Sequence, residues 1–211
     1  MSLTRRAFGG LAAVALAALA LPGAARAEVE DQARVLAEVE AYLNGITTLD
    51  ARFVQLNYDG STTGGEFQMK RPMFARIAYD EPPTVLVARG QKYQFWDAEI
   101  GQFYEGPVSA SPASVLLYPE IVLEEVADVL DVRRDKGQLM VTMQPLADPS
   151  SGLLTLVFEE NPMRLRQWYV KDAQGYVTRI TLVDSEFGVE IDNEIFEIDY
   201  QSLIKPQTSY E

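Results

Sequence analysis

Neither cysteine nor histidine occurs among the 211 residues of this sequence. Without cysteine the chain forms no disulfide, offers no thiol nucleophile and carries no thiol for a lipid anchor. Without histidine it lacks the usual general base of serine hydrolases and the usual nitrogen ligand of zinc. These two absences argue against thiol enzymes, against the common serine hydrolases and against zinc proteins.

Basic residues are scarce as well, because 18 lysines and arginines face 31 aspartates and glutamates, and the net charge is −13. A chain of this charge is repelled by nucleic acid and by anionic lipid headgroups. We therefore expect no nucleic-acid partner, and we expect the acidic chain to remain a monomer.

The first 27 residues have the pattern of a cleaved signal peptide. Arg5 and Arg6 precede an apolar run over residues 11–21, and residues 25–27 form a small-x-small cleavage site. The run is too short to span a bilayer, which needs roughly 20 apolar residues. We expect an exported protein with a signal peptide over residues 1–27 and a single domain over residues 28–211. The paired arginines fit a twin-arginine export signal as well as an ordinary one.

Residues 31–46 predict an amphipathic helix, because apolar side chains recur at spacings of three and four residues. Gly45 is expected to end or weaken this helix. The apolar positions are Val35, Leu36, Val39, Tyr42, Leu43 and Ile46.

After the helix the apolar period changes to two, which is typical of β-strands. Alternating apolar positions occur at residues 67–69, 139–143, 154–158, 180–182 and 196–200. Glycine-containing turns separate these runs and leave no room for crossover helices. We predict a mainly β fold in which antiparallel neighbours form one large curved sheet or an open barrel.

The middle of the chain interrupts the strands. Ser111 and Pro112 form a typical helix start, and Pro119 predicts a second short helix that carries apolar residues as far as Leu130. We expect both helices to cover one face of the sheet. Several strands, such as residues 164–170, are apolar on both faces. That pattern is typical of a sheet packed on two sides, and an apolar cavity is the alternative.

Residues 65–72 (GEFQMKRP) resemble the G-x-F-x-x-K-R-P signature of the outer-membrane lipoprotein carrier proteins, the LolA family. Four further segments resemble motifs of this family in the same order and spacing. They are the F-x-Q of residues 53–55, the acidic-proline turn of residues 80–83, the hairpin of residues 89–97 and the S-P-A start of residues 111–117. The resemblance covers about residues 50–117, and beyond Leu117 only strand pattern and length agree.

This resemblance implies an incomplete antiparallel β-barrel, or half-barrel, with an N-terminal helix and short helices that form a lid over an apolar cavity. It implies a periplasmic chaperone, with no enzymatic activity and no cofactor, that binds acyl chains of lipoproteins released from the inner membrane and delivers them to the outer membrane. The implied partners are acylated lipoproteins, an inner-membrane lipoprotein-releasing ABC transporter and, where present, an outer-membrane lipoprotein receptor. The expected cavity residues are Phe53, Phe67, Met69, Ile77, Tyr79, Tyr93, Phe95, Val115 and Leu116.

The arginine of the K-R-P motif matches Arg71, and the resemblance makes it a latch that bonds lid backbone and holds the empty carrier shut. We expect the lid around residues 115–117 to supply carbonyl acceptors, because a buried charge without partners is costly. The alternative is an arginine that extends to solvent at the strand end beside Pro72. The family often has F-R-W-E-Y where this chain has ARIAY at residues 75–79, so the cavity shape should differ.

Two rival functions are compatible with parts of the sequence. A group of carboxylates near the C-terminus suggests an enzyme or a calcium site, but no loop has metal-ligand spacing, and a solvated acidic face fits better. A regulatory lipid- or lipoprotein-sensing periplasmic protein with a related half-barrel is the second rival, although such sensors usually carry an additional domain. The carboxylates are Asp184, Glu186, Glu190, Asp192, Glu194, Glu197 and Asp199.

Overall fold

The computed structural model describes residues 23–198, with side chains from residue 31 onward. Residues 1–22 of the predicted signal peptide lie outside the described residues, so its cleavage and the export route stay predictions. Within the described part of the chain, no helix has the length and apolar character needed to cross a membrane.

The predicted N-terminal helix is confirmed as α1 (Gly23–Gly45). The centre of its apolar face is buried, with Val35, Val39 and Leu43 each at most 2% exposed. Tyr42, on the same face, meets Phe158 edge to face at 5.7 Å and accepts a hydrogen bond from the Leu165 amide at 2.8 Å. The helix therefore packs across the inner face of the sheet rather than standing apart from it.

Eleven antiparallel strands form one continuous sheet, built from two meanders. The first meander contains β1 (Thr48–Leu56), β2 (Thr62–Lys70), β3 (Phe74–Tyr79), β4 (Val85–Arg89), β5 (Lys92–Asp97) and β6 (Gln102–Pro107). The second contains β7 (Ala127–Asp135), β8 (Gln138–Pro145), β9 (Leu153–Glu159), β10 (Arg164–Lys171) and β11 (Val177–Phe187).

The two meanders join where β1 pairs with β11, and the strand order is β6-β5-β4-β3-β2-β1-β11-β10-β9-β8-β7. The first and last strands of this order, β6 and β7, are the edges, so the sheet is not closed into a barrel. The predicted antiparallel meander is confirmed, because successive strands of each meander pair antiparallel with one another.

Residues 108–126, here the cover segment, connect the two edge strands and lie over the inner face. The Ser111 side chain accepts a hydrogen bond from the Ala113 amide at 3.3 Å, and Pro112 follows as the first helical residue. The helix predicted there is a 3-10 helix over residues 112–117. The predicted extension of a second helix to Leu130 is wrong. Helix α2 covers only Leu123–Val126, because β7 pairs with β8 from residue 127 onward.

Residues 188–198, here the C-terminal arm, cover part of the outer face. The sequence predicts a strand at residues 196–200, but this prediction is wrong for the described residues, because residues 193–196 form a 3-10 helix, and residues 199–200 lie outside the described part of the chain. Phe196 is 1% exposed and packs on Phe74 of β3, with ring centroids 5.4 Å apart. The arm thus buries its apolar side chains against the sheet instead of pairing with a strand edge.

Candidate ligand-binding cavity

An apolar cavity of about 630 Å³ lies between the inner face of the sheet and the cover segment. This volume is in the range of about 300–1,000 Å³ that is usual for small-molecule sites. Its wall consists of Phe53, Gln55, Phe67, Ala75, Ile77, Tyr79, Leu86, Ala88, Tyr93, Phe95, Tyr104, Val108, Ala110, Ser111, Ala113, Ser114, Leu116, Leu117, Trp168, Val170, Thr178 and Ile180.

Seven of the nine expected cavity residues lie on this wall. Strand parity explains their placement, because alternate residues of β1 to β5 point to the inner face. Their role in ligand binding stays a prediction. The seven are Phe53, Phe67, Ile77, Tyr79, Tyr93, Phe95 and Leu116.

Met69 and Val115 are absent from the wall. Met69 is 4% exposed and pairs in register with Leu49 and Ala75 at the end of β2, where the cover segment meets the sheet. Val115 is fully buried in the main core. Both side chains lie in the main core beside the cavity, and their role in ligand binding stays a prediction.

One side of the wall comes from β10 and β11, which the sequence reasoning did not assign to the cavity. Trp168, Val170, Thr178 and Ile180 form this side, and the Trp168 ring lies 5.4 Å from the ring of Phe67. A register shift between Leu165 and Gln167 places both Leu165 and Trp168 in the core, at 2% and 4% exposure. A β-bulge breaks simple alternation in this way.

Small side chains on the first meander create the space. Ala75 and Ala88 are buried on the inner face at 6% and 3% exposure, and both border the cavity. A larger side chain at either position would fill part of the volume. The family pattern F-R-W-E-Y has aromatic residues where this chain has Ala75 and Ile77 on β3. That difference was the available indication in the sequence that the cavity has space here.

Few polar groups face the cavity. The Tyr79 hydroxyl donates to the Gln55 side-chain oxygen at 3.1 Å, and the Tyr79 ring meets Phe53 edge to face at 5.4 Å. Burial raises the pKa of Tyr79 above its ordinary value, so its hydroxyl stays neutral at physiological pH. The cavity is therefore suited to a ligand with a long apolar part.

Arg71 ties three parts of the chain together at one end of the cavity. Its Nε donates to the Ile46 carbonyl at 2.9 Å, one terminal nitrogen donates to the Tyr118 carbonyl at 3.2 Å, and the other donates to the Leu43 carbonyl. Carbonyls in the last turn of a helix have no helical partner and carry the negative end of the helix dipole. The guanidinium thus caps α1 and holds the cover segment with the same charge.

The carbonyl acceptors of Arg71 differ in part from the expected ones. The cover segment supplies one acceptor, Tyr118, one residue past the expected stretch, while Leu43 in the last turn of α1 and Ile46 just after it supply the other two. The neighbouring backbone adds a bond from the Met73 amide to the Leu117 carbonyl at 2.8 Å. Burial lowers the pKa of Arg71, yet a guanidinium starts high enough to remain charged at neutral pH.

The carboxylates near the C-terminus do not converge. Among the described residues no group of three or more aspartates, glutamates, histidines or cysteines could hold a metal ion. Asp199 lies outside the described residues, and the others are exposed on β11 and on the C-terminal arm.

The sequence comparisons with known proteins agree on one family. The sequence profile described as outer membrane lipoprotein carrier protein LolA matches residues 44–199. An outer-membrane lipoprotein carrier protein of Alkalilimnicola ehrlichii is 29% identical over 202 residues, covering 89% of this chain and 90% of the relative. One from Pseudomonas aeruginosa is 38% identical over 93 residues, covering 41% and 44%. The solved structure of a LolA superfamily protein from Nitrosomonas europaea covers 77% of this chain and 97% of its own, with 10% identity and a TM-score of 0.44.

Proposed function

Since the chain belongs to the outer membrane lipoprotein carrier protein LolA family, we propose that it is a periplasmic carrier that takes lipoprotein acyl chains into its cavity and moves them between membranes. In this proposal an inner-membrane ABC transporter releases the cargo to the carrier. An outer-membrane receptor, where one is present, receives it. The carrier itself performs no covalent chemistry.

The observation that carries the proposal is the apolar cavity under a cover segment that polar contacts hold in place. Burial of one methylene group is worth about 0.8 kcal/mol, so one sheltered acyl chain gains roughly 10 kcal/mol. A cargo bound through three such acyl chains with their full energy could not be transferred to an acceptor. A carrier therefore needs a closed empty state whose own stability offsets part of the gain.

Arg71 supplies such a closed state in this proposal. Its bond to Tyr118 must break if the cover segment is to move away from α1 and admit a larger ligand. A hydrogen bond from a charged group contributes about 1.5–3 kcal/mol. Release of cargo re-forms it, so the latch favours release of the cargo over its retention.

The test is a release assay in spheroplasts that produce a tagged triacylated lipoprotein. Added carrier should move the tagged lipoprotein into the soluble fraction, and the purified complex should contain both proteins. The matched test variant is Ala88→Phe, whose ring should occupy cavity space without touching Arg71 and should therefore reduce release. Release that does not depend on the carrier, or release that is unchanged by Ala88→Phe, would contradict the proposal.

A further inference from the structure

The cavity opens toward the strand ends that lie opposite Arg71. On five strands the inward-facing residue nearer Arg71 is buried, and the one farther from it is partly exposed. The pairs, buried residue first, are Phe53 and Gln55 on β1, Ala75 and Tyr79 on β3, Ala88 and Leu86 on β4, Trp168 and Val170 on β10, and Leu182 and Thr178 on β11. Tyr104, near the start of β6, borders the cavity and is 41% exposed. The cavity therefore has an opening, here the mouth, at this end of the sheet.

Four turns surround the mouth, because every second connection of an antiparallel meander lies at the same end of the sheet. They are residues 57–61, 80–84, 98–101 and 172–176. Tyr58 is 64% exposed, Ile100 is 56% exposed and Tyr176 is 50% exposed, and Pro82 and Pro83 are exposed as well. Single exposed apolar residues are common, but a row of them around an apolar opening marks an interaction surface. These five residues are here the mouth rim.

The rim is held in place although it consists of turns. The rings of Tyr58 and Tyr176, which come from two different turns, stack with their centroids 4.2 Å apart. Asp59 accepts a hydrogen bond from the Ser61 amide and Asp172 accepts one from the Tyr176 amide, both at 2.9 Å. Side chains that are fixed before binding lose less conformational entropy when a partner covers them. The two rings therefore offer a preformed apolar contact beside the mouth.

The charge of the rim selects the kind of partner that fits it. The four turns contain five carboxylates and no lysine or arginine, and Asp80 of this set pairs with Arg52. An anionic membrane surface is therefore repelled. Phosphatidylcholine and phosphatidylethanolamine are neutral overall and present a cationic group outermost, which complements the carboxylates. Tyrosine rings are enriched at the headgroup level of membranes, because one end of the ring is apolar and the other is polar.

We propose that the mouth rim docks the protein on the surface of a zwitterionic phospholipid bilayer, with the mouth facing the lipid. Separate turn tips suit a fluid lipid surface, which adapts to them, better than the fixed surface of a protein partner. Tyr58, Ile100 and Tyr176 then enter the headgroup region, and an acyl chain moves between bilayer and cavity without exposure to bulk water. This inference rests on the proposed function in that the cavity receives acyl chains.

Vesicle flotation tests the proposal with the protein purified after export. The unmodified protein should float with phosphatidylcholine vesicles. The double variant Tyr58→Ser with Tyr176→Ser should lower its partition coefficient about tenfold, because two exposed rings no longer leave water on binding. Ile100→Ser should lower the coefficient less. Leu130→Ser is the matched control, because Leu130 is 55% exposed on β7, a strand outside the cavity wall, and this variant should float like the unmodified protein.

The depth of the rim in the bilayer is a second readout. Tyr58→Trp should show a blue-shifted emission on binding and should be quenched by brominated phosphatidylcholine, whereas Leu130→Trp should show neither change. Trp96 and Trp168 of the unmodified protein supply the background for this difference. Replacing part of the phosphatidylcholine with phosphatidylglycerol should weaken flotation of the unmodified protein, and added salt should restore it by screening the repulsion.

The outcomes separate this inference from the proposed function. Absence of flotation with phosphatidylcholine, or equal flotation of the rim variants, would overturn the docking surface, and so would stronger binding to phosphatidylglycerol vesicles. Rim variants that float normally but no longer transfer cargo to a protein acceptor would show that a protein occupies the rim instead. Binding of a fluorescent acyl probe in solution should be the same in all variants, and its absence in the unmodified protein would overturn the carrier proposal.

Discussion

The two faces of the sheet are each covered by a short irregular segment, yet the two covers differ in what lies beneath them. Under the C-terminal arm the space is filled, since Phe196, Ile191 and Val87 form a second small core with 1–6% exposure. Under the cover segment a cavity of about 630 Å³ remains. One sheet therefore supports a packed interface on its outer face and an open volume on its inner face.

Neighbouring residues of β4 illustrate the difference. Val87 points outward into the small core and Ala88 points inward to the cavity, although both are nearly inaccessible at 2% and 3% exposure. The arm packs Phe196 against the sheet with no open volume beneath it. The cover segment is packed too, since Val115 and Ile121 lie in the main core at 0–1% exposure, but other residues of this segment border the cavity. The inner cover is therefore the one beneath which a ligand has space.

The largest effect is expected from a substitution that leaves a void under the C-terminal arm. Phe196→Ala should lower the free energy of unfolding by about 3–5 kcal/mol, because it deletes a fully buried ring and leaves a void. Chemical denaturation measures this change. Binding of a fluorescent acyl probe should remain unchanged, because Phe196 faces away from the cavity. Loss of acyl binding with little loss of stability would contradict the assignment of a packed interface to the outer face and of the binding cavity to the inner face.

A smaller loss is expected at the latch. Arg71→Leu should lower the free energy of unfolding of the empty protein by about 1.5–3 kcal/mol, the value of hydrogen bonds from a charged group. Cargo should still be taken up, but its transfer from the purified complex to an acceptor should slow. Arg52→Leu, on the exposed outer face of β1, is the matched control. Normal transfer by Arg71→Leu would remove the latch role.

A pair of substitutions on β4 compares the two faces directly. Val87→Phe should destabilise the protein by about 1–3 kcal/mol, because it overpacks a filled core. Ala88→Phe should change stability less, because the ring can enter the cavity, and it should weaken acyl-probe binding instead. Thermal unfolding and probe titration of both variants measure the two effects. Equal destabilisation by both would mean that the inner face is as tightly packed as the outer one.

The smallest effects are expected from pH. A hydrogen bond from Arg52 lowers the pKa of Asp80, so the contribution of this exposed pair is present above the unfolded-state pKa and is lost as pH falls through the folded-state pKa. Burial raises the pKa of Tyr79, so its contribution is complete below about pH 10 and is lost as pH rises through the folded-state value. Asp80→Asn should therefore flatten the acid side of a melting profile, and Tyr79→Phe should flatten the alkaline side. Unchanged profiles in both variants would contradict these assignments.

Much of the first meander could be predicted from sequence. Alternation predicted the inward face of Phe67, the family resemblance named Phe53 and Ile77 as cavity residues, and Ser111 with Pro112 marked the start of the cover helix correctly. The side of the wall from β10 and β11 was missed, because a bulge shifts the register before Trp168. The apolar pattern around Phe196 predicts a strand, whereas the chain forms a 3-10 helix there. A segment that packs on the outside of a sheet can show the same apolar spacing as a strand that pairs within it.

By itself, the sequence determined the local structure and the family. The apolar period set the helix face and the strand faces, and the motifs of residues 50–117 identified the LolA family. Only the tertiary structure decided that Arg71 bonds the end of α1 as well as the cover segment. It also decided that the inner face keeps a cavity while the outer face is filled. The reason is that periodicity fixes which way a side chain points, whereas filling depends on the summed volumes of segments far apart in the chain, such as residues 88 and 168 on one face or 87 and 196 on the other.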